Sequence, residues 1–125
     1  RADVINELEK VRPPYNVNVL TEAAVTFVLQ HASVLNDQAT QIRQTRSELM
    51  NALNEIEGLK VFNSNANFVL VRFPDADAAF EGLKARGVLV KNVSKAHRLM
   101  ANCLRLTVGT VEENRNLIDA IRTLS

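Results

Sequence analysis

Residues 104–114 read L-R-L-T-V-G-T-V-E-E-N. Leu104, Leu106 and Val108 alternate with Arg105 and Thr107, the period of a strand with one face turned to a core. Gly109 interrupts the alternation. Thr110, followed three residues on by Glu113, has the form of a capping box, in which each side chain accepts the backbone N–H of the other residue. A strand running directly into a helix is expected. The alternation also singles out Arg105, whose side chain leaves the sheet on the face opposite Leu104 and Leu106. A permanently charged planar fork on a rigid strand suits two-pronged binding of a carboxylate. On the solvated face of an edge strand the same arginine would be an ordinary surface charge, and this stretch alone leaves both readings open.

Upstream, residues 67–73 (N-F-V-L-V-R-F) form the clearest second strand, closed by Pro74. Asp75 is placed to cap a helix over residues 76–86, with Ala76, Ala79, Phe80 and Leu83 on its buried face and Gly87 at its end. A strand over 88–91 and a polar loop over 92–102 lead back to the Arg105 strand. The closing helix, residues 111–124, turns Leu117, Ile118, Ile121 and Leu124 inward. A short strand over 59–62 and the turn Asn63-Ser64-Asn65 precede the Phe68 strand.

Residues 19–56 are helical in pattern throughout, too long a run for one ordinary globular helix. A bend is expected at 33–37, where Ser33, Asn36 and Asp37 offer caps. Beyond it Ile42, Leu49, Met50, Leu53 and Ile56 form the apolar stripe, and Gly58 stops the helix. At the start, Val4, Ile5, Leu8 and Val11 have helical spacing, Pro13-Pro14 end that helix, and residues 15–18 read as an extended linker. The fold class expected is α+β: a small, mostly antiparallel sheet covered on one face by helices, preceded by a long bent helix.

A chain of 125 residues with 46% hydrophobic and 23% charged side chains has the composition of a globular domain, not a disordered tail. With 15 basic against 14 acidic side chains the net charge is +1, so nothing favours nucleic acid or an anionic membrane as partner. No apolar run approaches spanning length, and no signal-peptide pattern opens the chain. The single cysteine, Cys103, permits no internal disulfide and fits a reducing compartment, so a cytoplasmic location is expected. Cys103 itself reads as a small buried hydrophobe. His31 and His97 lack the neighbours a metal site requires, and no glycine-rich phosphate loop is present. The chain begins at Arg1 without Met and is expected to be a fragment or processed product.

Three stretches in order, V-R-P-P-Y-N (11–16), S-N-A-N-F (64–68) and C-L-R-L-T-V-G-T-V-E-E-N (103–114), resemble the C-terminal part of histidinol-phosphate aminotransferases. These belong to the pyridoxal-phosphate (PLP) aminotransferases of the aspartate aminotransferase fold. The third motif is the most specific, and the resemblance covers nearly the whole chain. It implies that residues 1–18 are the end of a large-domain helix with its linker, and 19–125 a C-terminal small domain. It implies that Arg105 binds the substrate α-carboxylate and that Lys91, where Arg is commoner, helps to hold the substrate phosphate. Asn67 falls near the substrate entrance or caps its own strand. Tyr15 falls in the pocket wall or in interface packing.

The resemblance places the cofactor-bearing lysine, the cofactor phosphate site and the aspartate that pairs with the cofactor ring in a large domain preceding residue 1. Ser94-Lys95-Ala96 shares only its first two residues with the family's S-K-x-F-x-L-A-G segment, so Lys95 is not expected to be that lysine. No PLP is expected on this fragment, which should be inactive alone. In the intact enzyme, a homodimer, the implied reaction joins histidinol phosphate and 2-oxoglutarate in histidine biosynthesis. The alternatives are another PLP aminotransferase, a decarboxylase of a phosphorylated amino acid, or a non-catalytic α+β binding or regulatory domain.

Overall fold

The computed structural model describes residues 2–11 and 17–124. Tyr15 lies outside the described residues. The chain forms two compact units, Arg1–Asn36 and Asp37–Ser125. In the first, α1 spans Ala2–Glu9 and α2 spans Val19–Gln30. The Asn18 side chain caps α2 by accepting the Thr21 N–H at 2.8 Å. None of this unit's described residues is buried. No helix among the described residues is long and apolar enough to cross a membrane.

The helical run does not bend where the caps at 33–37 suggested. It is interrupted earlier, at His31, and α3 runs unbroken over Ala32–Asn54. His31 leaves helical geometry, at φ −114° and ψ 33°, with its N–H donated to the Val28 carbonyl. Its ring packs on Phe27, with centroids 4.5 Å apart, and Nδ1 lies 2.9 Å from the Phe27 carbonyl. These contacts satisfy the end of α2 without the polar side chains downstream.

In the second unit the later part of α3 turns Thr45, Leu49 and Leu53 into the core, at the spacing that stacks side chains on one helix face. Ile42, expected in this stripe, stays exposed, and Thr45 takes the core position with its hydroxyl donated to the Gln41 carbonyl. Then follow β1 (Lys60–Val61), β2 (Phe68–Arg72), α4 (Ala76–Ala85), β3 (Lys91–Asn92), a 3₁₀ turn (Arg98–Met100), β4 (Cys103–Thr107) and α5 (Val111–Arg122). The sheet order is β1-β2-β4-β3 and every pairing is antiparallel. Val69 and Val71 of β2 lie opposite Leu106 and Leu104 of β4. These four pack in one core with Leu49 and Leu53 of α3, Ala76, Ala79 and Leu83 of α4, and Leu117, Ile118 and Ile121 of α5. The α+β architecture with helices on one sheet face is as the periodicity implied.

Asp75 caps α4 as expected, its carboxylate accepting the N–H groups of Asp77 and Ala78. The expected strand over 88–91 is displaced to Lys91–Asn92. The reason lies at the end of α4. Gly87, at φ +76°, donates to the Lys84 carbonyl and Val88 to the Leu83 carbonyl, the double bond of a Schellman ending. Val88 is therefore tied to the helix rather than to a strand ladder, and Leu89 is left 81% exposed.

Leu53 is fully enclosed where α3 meets the sheet. Leu53→Ala should lower unfolding stability by about 2–5 kcal/mol through lost burial and the cavity left behind. The shift of the urea midpoint at unchanged slope measures it.

Candidate functional site

Alternation along β2 and β4 sorts their side chains into two sets. With Val69, Val71, Leu104 and Leu106 committed to the core, Phe68, Leu70 and Arg72 share the other face with Cys103, Arg105 and Thr107. Arg105 lies on β4, which has β2 on one side and β3 on the other, so the edge-strand reading of this arginine does not hold. Its guanidinium carbon stands 5.2 Å from the Phe68 ring centroid, a cation–π stack that holds a half-buried fork in place.

The register across β3 and β4 pairs Lys91 directly with Arg105. Side chains of such a pair start about 4.5–5.5 Å apart at Cβ and point to the same side of the sheet. Like charges so placed repel one another, and among the described residues neither cation has a hydrogen bond or ion pair. The geometry suits an anion held between a fork from the inner strand and a point charge from the edge. Two of the residues singled out in the sequence thus meet.

Asn67 does not join them. It sits one residue before β2, exposed, and its carbonyl accepts the Val108 N–H at 2.9 Å. It lies in the bend that leads into β2, outside the pleat that sorts Phe68 and Leu70. The turn before it is organised by Ser64, whose hydroxyl binds the Phe68 carbonyl and accepts the Ala66 N–H, and by Arg46 of α3, which donates to the Ala66 carbonyl.

Downstream of Arg105 the turn from β4 into α5 is fixed from both ends. Thr110 and Glu113 form the capping box reciprocally, at 2.7 and 3.2 Å. Asn114 is buried, and its amide both accepts the Gly109 N–H and donates to the Gly109 carbonyl. A Cβ on Gly109 would stand 2.6 Å from a Glu113 carboxylate oxygen, so the capping box itself demands glycine there. Sequence reasoning missed Asn114 as a clamp, although it closes the decisive motif, and missed Phe68 as the platform for Arg105.

The family model for aminotransferases of class I and II matches residues 1–121. The chain belongs to that family. Histidinol-phosphate aminotransferase 1 of Ralstonia nicotianae is 59% identical over 116 residues, covering 93% of this chain and 31% of the relative. The histidinol-phosphate aminotransferase of Methylibium petroleiphilum is 56% identical over 119 residues, covering 95% and 32%. The chain therefore spans about a third of the length of these relatives. Among solved structures, a histidinol-phosphate aminotransferase from Clostridium acetobutylicum superposes with TM-score 0.82 at 19% identity, over 98% of this chain and 37% of that one. A decarboxylase from Sulfurospirillum multivorans superposes with TM-score 0.83 at 22% identity, over 99% and 37%. At such identities these two establish the shared fold.

An aminotransferase of this family implies PLP in the intact enzyme, which supplies an electron sink for proton transfer at the carbon bearing the amino group. The described residues do not fit that group. All five lysines, Lys10, Lys60, Lys84, Lys91 and Lys95, are exposed rather than enclosed. Lys95, excluded from the sequence, is exposed in the loop before β4.

The capping box makes the turn after Arg105 sensitive to acid. The Thr110 backbone N–H, and then its hydroxyl, hold the Glu113 carboxyl below its ordinary value. A carboxylate depressed in the folded state stabilises it above the unfolded value, near 4.3, and the stabilisation is lost as pH falls through the folded value. Stability curves of wild type and Glu113→Gln should therefore differ most at neutral pH and converge as pH falls below about 4.

Proposed function

We propose that this chain is the C-terminal, substrate-orienting small domain of a PLP-dependent aminotransferase acting on histidinol phosphate and 2-oxoglutarate in histidine biosynthesis. The observation that carries the proposal is the pairing of Arg105 and Lys91 on the sheet face away from the core. The names of the relatives at 52–59% identity support the choice of substrates. Residues 1–18 are then the end of a large-domain helix and its linker, and residues 19–125 the small domain. PLP and its lysine belong to the large domain, and the intact enzyme is a cytoplasmic homodimer. Tyr15, on the linker, is assigned to the pocket wall or the interface, and Asn67 to the rim of the substrate entrance.

In this reading Arg105 grips the α-carboxylate of glutamate or 2-oxoglutarate with two parallel N–H donors, its plane fixed by Phe68. Lys91 adds a point charge that suits the substrate phosphate. The apolar side chains of Phe68 and Leu70 beside them limit water at the bound anion, and the fixed cations orient the substrate so that little ordering remains to be done in the transition state. This chain alone, without a cofactor lysine, should show no aminotransferase activity.

Arg105→Lys in the full-length protein keeps the charge but loses the fork. The half-reaction with glutamate should weaken by about 1.5–3 kcal/mol, the worth of a charged hydrogen bond, and that with histidinol phosphate, which has no carboxylate, by less. Single-turnover kinetics of each half-reaction measure this, and unchanged glutamate kinetics would remove the carboxylate role.

Lys91→Ala should raise KM for histidinol phosphate by roughly one to two decades, with a much smaller effect on a non-phosphorylated donor. Equal effects on both donors would make Lys91 a surface charge only.

A further inference from the structure

β3 is two residues long and lies at the edge of the sheet, so its own ladder holds Lys91 only weakly against Arg105. Asn92, beside Lys91, is anchored to α4 by its side-chain amide, which donates to the Asp77 carboxylate at 2.6 Å, and the segment 93–102 that joins β3 to β4 adds further hold. Its start is tied to β4 by the Val93 N–H and the Ser94 hydroxyl, both donated to the Cys103 carbonyl. Its end is tied to the region after β2, where the Phe73 N–H donates to the Asn102 carbonyl at 2.9 Å. Asn102 turns there in a left-handed conformation, φ +57°, uncommon for a side chain with a Cβ.

Between those ends one side chain spans the gap. Arg72, the last residue of β2, donates Nε to the Ala101 carbonyl at 3.0 Å and Nη2 to the Leu99 carbonyl at 2.7 Å. Its guanidinium carbon lies 5.4 Å from the Phe62 ring centroid, so the fork is held from the β1 side while it grips the loop. Arg72 is half-buried and shares the sheet face of Arg105, opposite Cys103 on β4. Its charge is thus directed to backbone carbonyls of the 3₁₀ turn, and no ligand is needed to account for it.

We infer that Arg72 is a positioning residue that clamps the β3–β4 loop and so holds Lys91 opposite Arg105, giving the site its preference for a phosphorylated amino donor. The inference rests on the substrate reading above. A lysine at position 72 could satisfy one carbonyl as a point charge but not two as a planar fork. Charge alone should therefore not rescue the function.

The test uses the full-length protein. In Arg72→Ala and in Arg72→Lys, backbone hydrogen exchange should accelerate across residues 91–102, while the β2–β4 ladder stays protected. KM for the phosphorylated donor should rise about tenfold or more in both variants, and the glutamate half-reaction should fall far less. Adding Arg72→Ala to Lys91→Ala should raise KM little further, because both remove the same contact. Unchanged exchange, or an unchanged KM where Lys91→Ala alone raises it, overturns the inference. Full activity in Arg72→Lys also overturns it, since that outcome requires only a charge. An unchanged KM in both the Arg72 and Lys91 variants defeats the phosphate reading and the inference with it, and the exchange rates show which link failed.

Discussion

The register of β2 against β4 is the constraint on which the second unit depends. Five consecutive pairs, from Phe68 with Thr107 to Arg72 with Cys103, assign every side chain of both strands to a face. A slip of one residue would bury Arg105 and expose Leu104 and Leu106. The register is held beyond both strand ends, by the Val108 N–H on the Asn67 carbonyl and the Phe73 N–H on the Asn102 carbonyl. Burial of Val69, Val71, Leu104 and Leu106 against three helices makes the alternative costly, since each fully buried aliphatic side chain contributes about 1.5–3 kcal/mol.

The opposite face is governed by electrostatics rather than burial. Lys60 pairs with Arg72, and Lys91 with Arg105, so like charges face one another in two rows. Directly opposed like charges destabilise a sheet, by an amount comparable to the roughly 0.2–1 kcal/mol that favourable pairs contribute. Aromatic rings moderate this repulsion. Phe62 lies beneath both Lys60 and Arg72, and Phe68 beneath Arg105. The two rows differ in what else they meet. Arg72 is committed to loop carbonyls, whereas Arg105 and Lys91 have no such partner among the described residues. That difference separates a structural cation from cations available to a ligand.

The first unit shows the reverse imbalance. Its helices expose Val4, Ile5, Leu8, Leu20, Phe27 and Leu29, and none of its described residues is buried. α2 is apolar around most of its circumference, a pattern that ordinarily belongs to a helix with packed neighbours. Its termini are nonetheless locally satisfied, by Asn18 at the start and His31 at the end. Helix ends depend on adjacent residues, while burial depends on what is packed alongside.

The sequence by itself determined the features that arise from nearest neighbours along the chain. The alternation through Arg105, the Thr110–Glu113 capping box, the Asp75 cap, the glycine ending at Gly87 and the order of elements follow from local periodicity and hydrogen bonding, whereas α3 ends at Asn54, short of the Gly58 that the sequence offered as its stop. Only the tertiary structure decided what depends on distant segments. The inner position of β4, the pairing of Lys91 with Arg105, the Phe68 platform and the Arg72 clamp join residues 12 to 39 positions apart, through a register that no local pattern encodes. The same limit explains the misplaced bend and the shifted β3. At His31 a ring stacked on the preceding turn ended the helix, and at Val88 the end of α4 claimed the N–H that a strand would have used.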